Sequence, residues 1–211
     1  MRIAVVGATG RTGRLVVDLA LAAGHTVTAV ARTPARLPEF AHGTPRTAAA
    51  DVHEPASLLA PLDGQDVVVA ALGTTGRRAT TVFSDGARAL TAAVRAGGGA
   101  HLVTMGSAGL DPSRLPLAQR VVTRLVVDRL YREIHHDLAR MEEVLAESDV
   151  DWTVVRVPML KDGPPSARPL VSYDRPLPRA GTAARATVAR WITDHLGDPD
   201  TFRRLVHLAD G

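Results

Sequence analysis

Arg2-Ile3-Ala4-Val5-Val6-Gly7-Ala8-Thr9-Gly10-Arg11-Thr12-Gly13-Arg14-Leu15-Val16-Val17 decides the fold. A short β-branched apolar run stops at a glycine, two more glycines follow at intervals of three, and a helical pattern begins where they end. Arg2 to Val6 reads as a strand buried on both faces. From Arg11 to Ala23, Leu15, Val16, Leu19 and Ala23 share one helical face, and Gly24 suits the end of that helix in a left-handed conformation. In the turn between, Gly7 is expected to permit a sharp reversal, Gly10 a close approach of backbone to a ligand, and Gly13 close packing of helix on strand. The amides of Arg11 and Thr12 open the helix. Their unpaired N–H groups and the positive end of the helix dipole favour an anion, to which the Arg11 side chain adds a full charge, with Thr9 in the same turn.

Outward from this unit, Thr26 to Ala31 reads as a second strand and Thr44 to Ala50 as a weaker third, separated by a short helical piece around Pro34 to Phe40. Gln65 to Leu72 is a fourth strand. An alanine-rich helix from about Thr80 to Ala96 ends in Gly97-Gly98-Gly99, and His101 to Met105 supplies a fifth strand. Pro116 to Glu147 holds one long helix or two abutting ones, in which Val122, Leu125, Val126 and Leu130 form an apolar stripe read as core-facing. Asp151 to Val157 is a sixth strand. Residues 158–179 contain six prolines and the only lysine, Lys161, and read as an irregular, lid-like segment over the cleft with a short strand at Leu170 to Tyr173. Thr182 to Leu196 is a last amphipathic helix and Arg204 to Leu208 an edge strand. This alternation implies an α/β fold, a Rossmann-like doubly wound parallel sheet, because right-handed crossovers between parallel strands need intervening helices on both faces. Residues 1–211 are expected to form a single domain, with ligands at the carboxyl ends of the strands.

The 211 residues are 45% hydrophobic and 22% charged, which supplies a core and excludes a wholly disordered chain. The longest apolar run, Val67 to Leu72, is far short of the roughly 18 residues a membrane span needs, and Met1-Arg2-Ile3 leads straight into strand-like sequence. No membrane partner is expected, and the expected location is cytoplasmic. The absence of cysteine removes disulfides, thiolate metal sites, iron–sulfur clusters and cysteine nucleophiles. An isoelectric point near 10.1 accompanies a net charge of only +3, because one lysine and two tyrosines leave little to titrate above neutrality. The arginines are dispersed, and the densest pairs, Arg77-Arg78 and Arg203-Arg204, lack neighbouring aromatics on which bases stack, so no nucleic acid is expected as a partner.

Three more stretches carry chemistry by their position at strand ends. The second strand ends at Ala31-Arg32-Thr33, where an acidic residue would select ribose hydroxyls; an arginine takes a 2′-phosphate instead, with Thr33 and Arg36 adding a hydroxyl and a second charge. The sequence therefore predicts NADP(H), with NADPH favoured over NADH. Asp51-Val52 ends the third strand and meets the adenine amino group and face, or else Asp51 caps the helix after Pro55. Leu72-Gly73-Thr74-Thr75-Gly76 follows the fourth strand and flanks the nicotinamide ribose, Gly73 permitting close approach. His135-His136-Asp137 looks chemical, but adjacent helical residues point about 100° apart and cannot share one ion, so no metal site is expected. A solvated helical histidine is the plainer reading there, and a histidine reaching an acceptor pocket the sharper one.

Val6-Gly7-Ala8-Thr9-Gly10-Arg11-Thr12-Gly13, Val30-Ala31-Arg32, Asp51-Val52, Ala71-Leu72-Gly73 and Met105-Gly106-Ser107-Ala108-Gly109 together resemble the atypical short-chain dehydrogenases. More narrowly, the set is similar to the NAD(P)H-binding group that includes biliverdin IX beta reductase/flavin reductase and many bacterial relatives, from Met1 through about Asp162. The resemblance implies an NADPH-dependent reductase passing hydride to a small-molecule acceptor such as a flavin, tetrapyrrole or quinone. It also implies a serine beside the nicotinamide after the fifth strand, by position Ser107, and a proline-containing loop near the nicotinamide, here Pro158 and Met159. The main branch of that superfamily uses a Tyr-x-x-x-Lys pair, which this chain lacks: Tyr131 is followed four residues on by His135 and Tyr173 by Leu177. A second proline after the sixth strand and an aspartate near Gly181 are also absent. Flavin-like acceptors need mainly close placement of the hydride donor, which suits such a site. The alternative is an NADP(H)-binding sensor without turnover, resembling nitrogen-metabolite-repressor-like proteins.

Overall fold

The computed structural model describes residues 1–74, 79–111, 113–114, 128–179 and 181–211, without the side chains of 128–130. In chain order the strands are β1 (Arg2–Val6), β2 (Thr26–Ala31), β3 (Arg46–Ala49), β4 (Val67–Ala70), β5 (His101–Ser107), β6 (Trp152–Val157), β7 (Met159–Lys161), β8 (Leu170–Tyr173), β9 (Thr182–Ala184) and β10 (Arg204–Ala209). The helices are α1 (Arg11–Ala22), α2 (Ala56–Leu62), α3 (Val82–Ala96), α4 (Asp128–Glu147) and α5 (Arg185–Asp194). An eight-stranded sheet runs β3-β2-β1-β4-β5-β6-β10-β8, parallel throughout except for β8 against β10. From β1 the chain moves out to β3, then returns to the other side of β1 for β4. The loops after β1 and β4 therefore part in opposite directions and leave a crevice at the carboxyl edge.

Successive side chains along each strand point to opposite sides of the sheet, and both sides are covered. Ala4, Val6, Val68, Ala70, Leu102 and Val154 face α2, α3 and α4 through Leu58, Leu90, Met141 and Leu145. Ile3, Val5, Val67, Val69, Val103 and Val155 face α1 and α5 through Val16, Val17, Val188 and Ile192. The face that α1 buries is Thr12, Gly13, Val16, Val17 and Ala20, which corrects the expected Leu15, Leu19 and Ala23 row. Small residues let the helix lie close to the sheet beside the turn; Leu15 and Leu19 pack at the margin and Ala23 is exposed.

Carboxylates and a guanidinium from distant positions tie the layers together. The fully buried Asp137 of α4 accepts the Phe83 N–H at 2.9 Å and the Ser84 hydroxyl at 2.5 Å, capping the start of α3. Asp210, past β10, accepts the Ala184 N–H at 3.0 Å and the Thr187 hydroxyl at 2.7 Å, and so performs at the start of α5 the service that a local aspartate would. The Arg203 guanidinium donates to the carbonyls of Ser148, Ala146 and Val150 at the end of α4.

Two expectations change at the carboxyl-terminal end. Arg204–Ala209 is an interior strand, because β8 from the proline-rich segment pairs along its outer side and is pinned there by Asp174, which accepts from Arg204 Nε at 2.8 Å and from the Leu205 N–H at 3.0 Å. Residues 182–184 are extended, pairing with β7, so the last helix starts at Arg185. The segment 158–179 is thus less irregular than expected, carrying both β7 and β8. Thr75-Gly76, Arg77-Arg78 and the stripe at Val122, Leu125, Val126 and the Leu130 side chain lie outside the described residues. Among the described residues no helix is long and apolar enough to cross a membrane, and no group of three or more acids and histidines is placed to hold a metal.

His101, at the amino end of β5, lies 2.8 Å by Nε2 from Thr153 Oγ1, whose own hydrogen goes to the Thr201 carbonyl at 2.6 Å. Nε2 must therefore carry the proton and donate, which leaves the buried Nδ1 without a partner among the described residues. Burial accordingly pushes the His101 pKa down to about 4. In the unfolded chain the group titrates near 6.5, so stability is complete above that value and is lost as pH falls toward 4. Denaturation measured across that window is expected to show a loss of about 2–3 kcal/mol from this residue by pH 4.5. His101→Gln, which keeps a donor for Thr153 and does not titrate, is expected to flatten the slope; an unchanged slope contradicts the assignment.

Candidate functional site

The turn after β1 is built by two close backbone approaches. Gly7 has φ +84°, and a Cβ on it would lie 2.5 Å from the Ala71 carbonyl oxygen at the end of β4. A Cβ on Gly13 would lie 2.4 Å from the Gly7 carbonyl oxygen. The Gly7 and Ala8 N–H groups donate to the Val30 carbonyl at 3.0 and 3.2 Å, so the same turn is hooked to the end of β2. The first intrahelical bond of α1 is Arg14 N–H to the Gly10 carbonyl at 3.0 Å. Among the described residues no side chain caps α1, and its first turn holds no acid. The amides of Arg11, Thr12 and Gly13 are left outside the helical ladder at the end of α1 that borders the crevice.

That crevice is a cleft of about 620 Å³. Gly7, Thr9, Gly10, Arg11 and Thr12 form its floor, and Gly13 supports them from beneath. Arg32, Asp51 and Val52 line one end, and Leu72, Gly73 and Thr74 the opposite wall. Thr33 and Arg36 belong to the exposed turn that follows β2 and lie outside the lining. The Asp51 carboxylate accepts the His53 N–H at 3.0 Å in an Asx turn; α2 starts from Pro55 without a side-chain cap, so the helix-capping alternative for Asp51 does not hold. Of the loop after β6, Met159 is 74% exposed and Pro158 half-buried, and neither lines the cleft. Leu160 turns in instead, because alternation along β7 sends successive side chains to opposite sides.

Sequence reasoning missed Leu160, Met105, His53, Val82 and Arg185, all of which line the cleft. Met105 was legible as the last apolar residue of the fifth strand. Arg185 was not, since it reaches the cleft only because β9 pairs with β7. The Arg11 guanidinium forms an ion pair with Asp162, whose other oxygen is 3.0 Å from Arg185 Nη1. One exposed carboxylate thus sits between two cations at the mouth and ties the segment after β7 to the start of α1.

Ser107, two residues beyond Met105, lies past the cleft lining at the end of β5. Its Oγ accepts the Gly109 N–H at 3.1 Å and is 3.3 Å from His135 Nε2 on α4. An uncapped helix end, a turn with no room for Cβ atoms, a guanidinium at the β2 end and an elongated cleft fit a dinucleotide carrying a pyrophosphate.

A family model described as NAD(P)H-binding matches residues 7–199. The chain belongs to the NAD(P)H-binding family. Solved structures agree on the fold. A short-chain dehydrogenase/reductase from Veillonella parvula superposes with a TM-score of 0.82 at 17% identity, over 99% of this chain and 94% of that one. A wild-type form from the same organism, in complex with NADP, gives 0.78 at 18% identity, over 99% and 94%. An anaerobillin reductase from Escherichia coli O157:H7 gives 0.76 at 18% identity, over 100% and 97%.

Gly13→Ala is expected to lower stability by about 1–3 kcal/mol and to weaken NAD(P)H binding, because its Cβ must push α1 off the turn. Gly73→Ala, with no described atom within 4 Å of its Cβ, is expected to leave stability unchanged. Thermal denaturation of the two variants with and without cofactor checks both.

Proposed function

We propose that the protein is an NADPH-dependent oxidoreductase that passes hydride to a small planar acceptor such as a flavin, tetrapyrrole or quinone. The observation that carries this reading is the cleft at the strand-order reversal, with the uncapped α1 terminus and Arg11 at its middle and Arg32 at one end. The floor from Gly7 to Thr12 holds the pyrophosphate through backbone N–H groups, and Arg32 takes the 2′-phosphate, with Thr33 and Arg36 adding to the positive field there. Asp51 and Val52 meet the adenine. Leu72, Gly73 and Thr74 flank the nicotinamide ribose, while Met105 and Leu160 shield the ring from water. Bound there, the reduced nicotinamide supplies a hydride. Ser107 hydrogen-bonds the acceptor at the end of β5. The family match supports the cofactor class, and the anaerobillin reductase among the structural neighbours supports the reaction class. A cytoplasmic setting suits a chain without cysteine.

Titration of the purified protein with NADPH and NADH, following both binding and oxidation with riboflavin present, tests this reading. Preferential NADPH binding with flavin-dependent oxidation is expected. Tight NADPH binding with no oxidation of any acceptor class favours the sensor, and no binding of either nucleotide overturns the assignment. Arg32→Asp is expected to weaken NADPH about 10- to 100-fold while changing NADH little, as befits loss of a charge-assisted bond to phosphate; equal affinity for NADPH in variant and parent removes Arg32 from the site.

A further inference from the structure

His135 does not stand in solvent as an isolated helical histidine would. Its Nε2 is 3.3 Å from Ser107 Oγ, and Tyr131, one turn earlier on α4, faces the same imidazole with ring centres 6.3 Å apart and planes 27° apart. Space for the ring is provided by Gly109, where a Cβ would lie 2.9 Å from His135 Cε1, 3.2 Å from Nε2 and 3.3 Å from Ser107 Oγ. Asp137, two residues on, anchors α4 to the start of α3 and so fixes the height of His135 above the sheet. Serine, glycine and histidine come from two separate elements and fit one another at van der Waals and hydrogen-bond distance.

A serine hydroxyl accepts two hydrogen bonds and donates one. Gly109 N–H occupies one acceptor position of Oγ. If His135 Nε2–H occupies the other, the single O–H of Ser107 is left to point at a ligand beyond the end of β5. We infer that His135 is the proton source of the reduction, acting through the Ser107 hydroxyl, with Gly109 as the residue that lets the two meet. The inference rests on the reductase reading above. The acceptor takes one hydride, carrying two electrons, from the reduced nicotinamide and one proton from the Ser107 O–H. Ser107 regains its proton from Nε2–H of the imidazolium, and the neutral imidazole is reprotonated by water. The balance is NADPH plus one proton plus acceptor giving NADP⁺ plus the doubly reduced acceptor. The spacing Tyr131 to His135 is that of a Tyr-x-x-x-Lys pair, with imidazole in the place of the ammonium, but the hydroxyl within reach of that imidazole's Nε2 is Ser107.

On its own helix the described titratable and charged groups are Tyr131, Arg132, Glu133, His136, Asp137, Arg140, Glu142, Glu143 and Glu147, with Arg140 paired to Asp137; Asp111 ends the turn that contains Gly109, and Arg156 of β6 is paired with Glu142. On α3, Asp85 pairs with Arg88, and Arg95 pairs with Asp149. His135, an imidazole within hydrogen-bond distance of Ser107 Oγ, is the group placed to exchange a proton with that hydroxyl.

The test measures kcat from pH 5.5 to 9 at saturating NADPH, with riboflavin, biliverdin and menadione as flavin, tetrapyrrole and quinone probes. Parent, His135→Gln and Gly109→Ala are compared, with the NADPH Kd of each and an NMR titration of His135 in cofactor-free parent and Ser107→Ala protein. Parent kcat is expected to fall with rising pH as the imidazolium is lost. His135→Gln is expected to lose that limb and to be roughly 100-fold slower at pH 6, with NADPH Kd within about twofold. Gly109→Ala should fall in the same direction, and Ser107→Ala should lower the midpoint of the His135 titration by removing an acceptor of the charged form. A pH limb that survives in His135→Gln, or a His135 midpoint unmoved by Ser107→Ala, overturns the proton role and leaves the reductase reading standing. NADPH binding by the parent with no oxidation by any of the three probes overturns both.

Discussion

The contact of Gly7 with the carbonyl of Ala71 is the constraint on which the cleft depends. It joins the ends of β1 and β4 at the place where strand order reverses, and it tolerates no Cβ. Gly13 then lets α1 start directly behind that turn, so the amides outside the helical ladder lie at the helix end that borders the crevice. Such groups need water or an anion as partners, and the helix dipole makes an anion the better one. A larger residue at either glycine would separate the helix from the strand ends and disperse those amides. The floor of the site is thus backbone, positioned by what is missing from two side chains.

Around this floor, long-range polar contacts decide how the other elements sit. Asp137 joins α4 to α3, Asp210 joins the chain's last strand to α5, and Arg203 closes the carbonyl end of α4. Each satisfies helix-terminal groups that would otherwise be unpartnered, and each comes from a residue more than twenty positions away in the chain. The same economy operates at the mouth, where Asp162 lies between Arg11 and Arg185.

Much of this was legible from local pattern. Val67 to Ala70 is apolar throughout and Trp152 to Val157 nearly so because both faces are covered, and a near-continuous apolar run reports that without knowledge of neighbours. Gly7 and Gly13 were legible as sharp turn and close helix packing because both act within seven residues. Reading failed where the partner is distant. The row Leu15, Leu19, Ala23 has good helical spacing, yet the close approach at Gly13 rotates the smaller residues inward. Met159 opens an unrecognised three-residue strand, whose alternation faces Leu160 inward instead. Arg204 to Ala209 has edge-like mixed character, but a strand from the proline-rich segment covers it.

The sequence by itself determined the alternating strand and helix order, the glycine turn, the arginine at the end of the second strand, and the lack of a Tyr-x-x-x-Lys pair. Those features depend on φ/ψ permission, side-chain periodicity and residue identity, which are properties of short stretches. Only the tertiary structure decided that His135 meets Ser107 across 28 positions, that Asp210 caps α5, and that Leu160 and Arg185 reach the cleft. These pairings follow from the packing angles of helices on a twisted sheet, to which every layer contributes and which no single stretch of sequence encodes.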